Sequence, residues 1–510
     1  MLYRFIKAKN KKNMIKNLLK DMSKYLPAQI IPGVVGFISI PIVTRLFSPG
    51  DYGNYSLVLA TVTILSLLVG WLSMSIIRFY PVFERDGKLD YFYGNIVKLF
   101  FISILIISVI FCGVLLTVKQ LLSNQLYKLG YIGLILFVFT SLFNTLQHFL
   151  RSKRQVSWYS AFAIWKSVAS IGLGLLLIVV FDFSIDGLLW GGSLSLILIT
   201  PILWKKSISK VSLTNSKIST PLIKEIAKYS FPLVIANIAA WVLSLSDRYI
   251  LQFFRDSREV GIYSVSYNIS AHSIILLTTI FMLAAGPISI NIWEKEGEEK
   301  SKLFLSKLTR YFLIICIPAV VGLSVLSKPI MEILTGREYF EGYKIIPFVT
   351  LGAFFLGLQQ RFQAGFVLYK KTGFITFSIV ASGLLNVVLN FLLIPKYGYM
   401  AAAITTLISY VFLLFLMVFI SRRFFLWKFP FKSLAKITFA SAIMGLVVYF
   451  IGKGLTTSIM VNLTLGISIG IVVYLLILLL LREAKEEEIK TLMDIRGKIL
   501  RKMRGKINDC

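Results

Sequence analysis

Cysteine is nearly absent: Cys112, Cys316 and Cys510 are the only three in 510 residues, and they lie far apart in the chain. That leaves no disulfide framework and no thiolate motif for a metal. Charge is scarce as well, at 15% of residues against 57% hydrophobic, with a mean hydropathy of +0.79. Such a balance excludes an ordinary soluble globular chain. Short alternating apolar runs are missing, which excludes a transmembrane β-barrel. The first apolar run also lacks a convincing small-residue cleavage site, so its charged leader suits a retained anchor better than a removed signal peptide.

Long apolar runs stand in place of these features. A spanning helix needs roughly 20 mostly apolar residues, because in hydrocarbon only a helix satisfies its backbone amides within one segment. Fourteen segments meet that need: 25–46, 55–77, 96–118, 129–149, 159–181, 185–204, 231–254, 260–293, 306–327, 345–368, 374–394, 400–424, 433–451 and 459–481. The sequence therefore predicts an all-α integral membrane protein with 14 transmembrane helices.

Lys and Arg number 55 against 24 Asp and Glu. Forty of the 55 lie at the two termini and in or beside the even-numbered connections, and eleven lie in or beside the odd-numbered ones. By the positive-inside rule both termini are cytoplasmic, N-in and C-in. The basic excess is thus a topology signal. The run "KAKNKKNMIKNLLK" (Lys7 to Lys20) reads as an anchor on anionic membrane lipids, and no nucleic-acid partner is implied.

An internal repeat organises the spans. "KYLPAQIIPG" (Lys24 to Gly33) opens the first helix and "KYSFPLVIAN" (Lys228 to Asn237) the seventh; "YGNYS" (Tyr52 to Ser56) and "VGIYS" (Val260 to Ser264) follow at matching places. Six helices separate the copies, so both start on one side of the membrane. That makes a parallel repeat of two six-helix lobes, with substrate expected between them near the midplane. The expected divisions are a basic segment 1–24, an N-lobe 25–204, a cytoplasmic linker 205–228, a C-lobe 229–425, two further helices over 426–481, and an amphipathic cytoplasmic tail 482–510.

Polar residues inside apolar spans require a partner, a wet cavity or an escape to the interface, since a charge at membrane depth costs about 2.5 to 3.5 kcal/mol on insertion scales. Arg78, Lys98 and Lys436 lie near expected cytoplasmic ends, where long side chains snorkel. Arg361 sits in "GLQQRFQAG" with Gln359, Gln360 and Gln363, four polar chains in little more than one helical turn. They point either to a water-filled cavity with a fixed cation or to hydrogen bonding between packed helices. Lys166, roughly 13 Å into the fifth helix, carries the same two readings.

Ser264, Asn268 and His272 form a stripe on the eighth helix, with His272 a candidate for proton coupling or for packing. Asp247 and Arg248 adjoin in "FPLVIANIAAWVLSLSDRYILQFF" (Phe231 to Phe254). Adjacent helical residues point about 100° apart, so the two need not pair; each is free to hold a different wall or to gate an outward mouth. Asn386 and Asn390, one turn apart, can bind a sugar or bridge helices. No nucleophile–base constellation, phosphate-cradling glycine loop or metal-ligand cluster stands out, so neither a catalytic residue, a metal nor a cofactor is expected.

Four stretches in order, "TRLFSPGDYGNYSLV" (Thr44 to Val58), "SDRYIL" (Ser246 to Leu251), "VGIYSVSYNIS" (Val260 to Ser270) and "LLNVVLNFLLIPKYGYMAAAITT" (Leu384 to Thr406), resemble the polysaccharide (O-antigen) flippases. These belong to the exporter superfamily that also holds lipid II flippases and multidrug and toxin extrusion (MATE) transporters. Ala401 and Thr405 depart from the family pattern, which has Gly and Ala there.

The resemblance implies a lipid II flippase-like and MATE-like scaffold. It also implies a flippase that passes an undecaprenyl-diphosphate-linked oligosaccharide from the inner to the outer leaflet of the bacterial cytoplasmic (inner) membrane, for surface polysaccharide such as lipopolysaccharide, alongside other polysaccharide assembly proteins. A diphosphate head needs cations, and guanidinium geometry suits phosphate. Arg361 is the first candidate and Lys166 and Arg248 the next, with Gln359, Gln360, Gln363 and Asn268 as polar lining and His272 and Asp247 as coupling or gating residues.

By analogy with lipid II flippases, helices thirteen and fourteen offer an apolar groove for the lipid tail. Alternating access is the mechanism expected, with the two lobes enclosing one wet, electropositive chamber. Energy input from proton or sodium movement, from the membrane potential or from product consumption all stay open.

Two rivals stand beside this reading. A drug or cation antiporter on the same scaffold would need a buried carboxylate, and Asp247 is the only acid well inside a span. A polymerase or ligase would need a large external loop, whereas the longest odd-numbered connection, "KPIMEILTGREYFEGYK" (Lys328 to Lys344), is about seventeen residues and reads as solvated.

Overall fold

The computed structural model describes residues 26–208, 218–452 and 458–483. The basic segment 1–24, the middle of the expected linker and nearly all of the expected tail lie outside the described residues. Those described hold helices and no strand. In chain order the helices are α1 (Leu26–Leu46), α2 (Pro49–Arg85), α3 (Leu89–Thr117), α4 (Asn124–Ser152), α5 (Val156–Phe181), α6 (Asp186–Ile208), α7 (Thr220–Phe254), α8 (Ser257–Glu296), α9 (Glu298–Val325), the short α10 (Ser327–Leu334), α11 (Ile346–Leu368), α12 (Gly373–Ser421), α13 (Phe431–Gly452) and α14 (Ile459–Leu480). All but α10 are long and apolar enough to cross a membrane, thirteen among the described residues. The chain is a multi-pass membrane protein.

One of the thirteen holds two of the expected spans. At 1.5 Å per residue, the 49 residues of α12 would run roughly 73 Å if straight, more than twice the hydrocarbon core of about 30 Å. Gly398 breaks it, with φ 56° and ψ −141°. Asn386 Nδ2 lies 3.5 Å from Thr406 Oγ1, groups that a straight helix would hold about 30 Å apart, so the arms on either side of Gly398 fold back on each other. Only glycine suits the site: the φ is left-handed, and a Cβ would run into the Glu259 carboxylate, which accepts the Tyr399 N–H at 2.9 Å.

Local sequence accounts for the helix starts. Ser48 caps α2 in a reciprocal box with Asp51, and Pro49 occupies the first turn, where a missing N–H costs nothing. Asp256 caps α8 through the Glu259 N–H at 2.8 Å. The inter-lobe linker is shorter than its polar composition suggests, because α6 continues to Ile208 and α7 begins at Thr220, well before residue 231. Their ends reach past the apolar stretch with Lys205, Lys206, Lys224 and Glu225 exposed and Leu222 and Ile226 buried.

Helices α2, α4, α5 and α6 pack together in the first half, and α7, α8, α9, α11 and α12 in the second; α13 lies on α9 and pairs with α14. The halves meet where α2 crosses α7 and α8. Corresponding residues of the repeat touch there. A Cβ on Gly53 would strike the Ser257 carbonyl, and one on Gly261 the Pro49 carbonyl, so the two backbones are in contact. Ser56 Oγ donates to Ser264 Oγ at 2.9 Å. A polar chain extends the seal: Ser257 donates to Asn54 at 2.7 Å, Asn54 to Gln125 at 2.6 Å, and Gln125 to Asp51 at 2.6 Å.

The connection read as solvated joins this seal. It forms α10 and a 3₁₀ stretch over Arg337–Ile345, and Tyr339, fully buried, donates to the Phe47 and Ser48 carbonyls. Glu332, Arg337, Glu338 and Glu341 stay exposed. The aromatic ring, not the charges, decided the packing. The end of the molecule that carries the odd-numbered connections is therefore closed between the lobes.

Candidate substrate cavity

A cavity of about 450 Å³ opens between α2, α4 and α5. Two of its lining residues are cationic, Lys166 and Arg151, and none is acidic. Arg151 stands in the last turn of α4, at the end that carries the even-numbered connections, and Lys166 lies roughly 15 Å along α5 from its start. The cavity thus runs from that end towards the membrane middle. Lys166 Nζ sits 5.1 Å from the centre of the Phe143 ring, a cation–π contact that lowers the cost of its depth.

The cavity wall is polar as well as charged. Asn144, Gln147, His148, Ser66 and Tyr159 contribute to it. Gln147 Nε2 donates to the Tyr159 carbonyl at 3.2 Å, while Gln147 Oε1 and His148 Nδ1 have no partner within the protein. Buried polar atoms left unpaired favour a ligand that pairs with them. Met74, also on the wall, meets Asn237 of α7 at 3.8 Å, so the cavity borders the second lobe.

The candidates named from the sequence fall in five places. Lys166 is in this cavity. Arg361 is 1% exposed, held among α8, α9 and α11 with its guanidinium 4.8 Å from the Phe312 ring and 5.9 Å from Phe281. Its Nη1 meets Met282 Sδ at 2.8 Å, and Nε and Nη2 have no protein partner. Gln359 is buried beside it in sequence with Oε1 unpaired, and Gln360 and Gln363 are half-buried.

Asp247 and Arg248, 1% and 3% exposed, do pair, through Nη1 and Oδ1 at 3.3 Å. The Arg248 backbone N–H reaches the same oxygen at 2.8 Å, while Tyr263 and Thr406 donate to Oδ2. Arg248 also donates to Ser264 and to the Ser244 carbonyl, and lies over the Tyr263 and Tyr267 rings. A long arginine folds back over the 100° that separates the two side chains, so the pair acts as one clamp joining α7, α8 and α12.

Asn390 donates to Asn386 at 2.9 Å and accepts from Thr405, so both asparagines bridge the arms of α12. Asn268 and His272 line a separate cavity of about 260 Å³ between α1, α2 and α8, with Asn268 donating to Tyr52 at 3.3 Å. The cations are therefore not gathered in one central chamber. Residue spacing along a helix specifies a face, and the packing of neighbours decides what that face meets.

Arg151, His148, Asn144 and Gln147 were missed in the sequence. Their signal was present in "FNTLQHFLRSKRQ" (Phe143 to Gln155), where Asn144, His148 and Arg151 recur at helical spacing on one face.

With this geometry established, comparison with known proteins places the chain. A family model described as polysaccharide biosynthesis protein matches residues 18–293, more than half of the sequence. The chain belongs to that family. Among relatives of the chain is the "Probable low-salt glycan biosynthesis flippase Agl15" of Haloferax volcanii, 24% identical over 290 residues, or 56% of this chain and 60% of that one. The "Probable flippase AglR" of the same organism is 27% identical over 51% of this chain and 54% of its own length. The matches therefore span less than two thirds of either relative.

Among solved structures, one described as "Lipid II flippase MurJ, inward closed conformation" aligns with a TM-score of 0.74 at 19% identity, covering 89% of this chain and 98% of that one. An inward-facing multidrug resistance MATE family transporter of the MOP superfamily aligns at 0.64 and 13% identity, covering 78% and 94%. At such identities the likeness shows the fold, which this chain shares with both.

Proposed function

We propose that the protein is a flippase for lipid-linked oligosaccharide, and that it receives the phosphorylated head of its substrate in the cavity of the first lobe. The observation that carries this reading is the charge of that cavity: Lys166 and Arg151 line it without an acid, and unpaired Gln147 and His148 atoms stand beside them. Phosphate oxygens are the ligands that the two cations pair with best, while Gln147 Oε1, which only accepts, suits a hydroxyl of the sugar. The sealed odd-numbered end and the two-lobe repeat support alternating access, with loading from the end that carries Arg151. The naming of the Haloferax volcanii relatives as probable flippases, one of glycan biosynthesis, supports the substrate class.

In finer form, the proposal is N-in/C-in topology in a bacterial cytoplasmic membrane, undecaprenyl diphosphate as carrier, and transfer from the inner to the outer leaflet. The antiporter reading loses its main support, because both oxygens of Asp247 are engaged by Arg248, Tyr263 and Thr406. The test is flipping of a fluorescent polyprenyl-diphosphate oligosaccharide in proteoliposomes. Wild-type protein should make the label in the opposite leaflet accessible, and Lys166→Gln with Arg151→Gln should slow this by at least tenfold. Wild-type vesicles no faster than empty ones would overturn the reading.

A further inference from the structure

Beyond the cationic cavity, towards the odd-numbered end, the same helices line a second space of a different kind. It measures about 710 Å³ and is bounded by α2, α3 and α4 of the first lobe and by α7 of the second, within the roughly 300–1,000 Å³ of ligand pockets. Val62 lines both spaces. On α4 a single stripe serves them in turn: Gly130 and Gly133 face the upper space, and Asn144, Gln147 and Arg151 the lower one, at helical spacing.

The upper space is lined mostly by hydrocarbon. Leu57, Leu65, Val114, Leu122 and Phe253 are typical of its wall. The polar side chains that reach it are paired with protein: Thr61 with Tyr249 at 2.6 Å, the Trp241 N–H with the Ala60 carbonyl at 3.2 Å, and Gln252 Oε1 with Ser257 at 3.0 Å. The lower cavity is lined by two cations; no charged residue lines the upper one. Together they make an amphipathic seam along α2 and α4, cationic at one end and apolar at the other.

We propose that this upper groove holds the isoprenoid chain of the carrier lipid while its phosphates occupy the cavity below. The proposal rests on the function proposed above. Its argument is complementarity: a lipid in the cytoplasmic leaflet points its charged head to the inner surface and its chain towards the midplane, the polarity that the seam has from Arg151 up to Leu57. A second apolar groove, about 510 Å³ between α9, α13 and α14, shares no residue with the cationic cavity, whereas the upper groove shares Val62 with it.

The test is photolabelling of the full-length protein in proteoliposomes with a long polyprenyl diphosphate that carries a diazirine in its hydrocarbon, and with a phosphatidylglycerol that carries one in an acyl chain. Polyprenyl label on residues 111–133 and 241–253, competed at least fivefold by unlabelled polyprenyl diphosphate, supports the proposal. Equal, uncompeted labelling of those residues by both probes means ordinary bilayer lipid and overturns it. Polyprenyl label confined to α13 and α14 also overturns it, yet leaves flipping intact. Leu65→Trp and Val118→Trp, each filling the groove from a different helix, should cut its labelling at least fivefold in variants whose melting is unchanged; undiminished labelling in both counts against the groove. Loss of the groove without loss of flipping, and loss of flipping itself, are thus read separately.

Discussion

Lys166 and Arg151 reach one cavity from different helices, and each offers a charge-assisted contact to phosphate of about 1.5–3 kcal/mol. Removing either singly, by Lys166→Gln or Arg151→Gln, should lower the initial rate of flipping about ten- to a hundredfold at unchanged protein level. Arg361, by contrast, is 1% exposed, is enclosed by Phe281, Met282 and Phe312, and lines neither cavity, so its unpaired Nε and Nη2 are shut off from the substrate space; Arg361→Met should bind polyprenyl diphosphate within about twofold of wild type by ligand-induced shift of melting. The Asp247–Arg248 clamp makes the opposite case. Asp247→Ala leaves a buried guanidinium without its counter-charge and should cost about 3–5 kcal/mol, measured by unfolding in detergent. Thr405→Ala, which restores the residue usual in the family resemblance, removes one inter-arm hydrogen bond and should cost about 0.6 to 1.7 kcal/mol.

Among the elements, α12 shows what residue patterns convey. Two apolar runs around "IPKYGYM" (Ile394 to Met400) already imply a reversal, and the positive φ at Gly398 with the adjacent Glu259 carboxylate explains why glycine is there. Gly398→Ala should destabilise the protein by at least about 1–2 kcal/mol from the left-handed backbone alone, seen as a lower midpoint in thermal unfolding. Helix α7 shows the limit. Its span was legible, but its start at Thr220 was not, because the polar turns before Phe231 form helix through their own backbone without needing hydrocarbon. The connection after α9 was legible only in part: its charges Glu332, Arg337, Glu338 and Glu341 are exposed as their type requires, yet the neighbouring Tyr339 is buried by partners that lie almost three hundred positions away.

In the whole molecule, the two halves touch through matched residues of the repeat, Gly53 with Gly261 and Ser56 with Ser264. If alternation separates them, a bond across that contact should arrest it. Ser56→Cys with Ser264→Cys, whose hydroxyls are 2.9 Å apart in the native protein, should form a disulfide on oxidation, stop flipping, and recover on reduction; full activity of the oxidised form would show that this contact never opens. The sequence by itself determined a helical membrane protein, the places of its spans and the pairing of its halves, because hydrocarbon demands long apolar helices and a repeat is visible as text. Tertiary structure alone decided that Lys166 shares a cavity with Arg151 while Arg361 meets phenylalanines, and that Asp247 and Arg248 close on each other. Spacing states which way a side chain leaves its helix, but only the packing of other helices states whether it arrives at a cavity, a ring or a counter-charge.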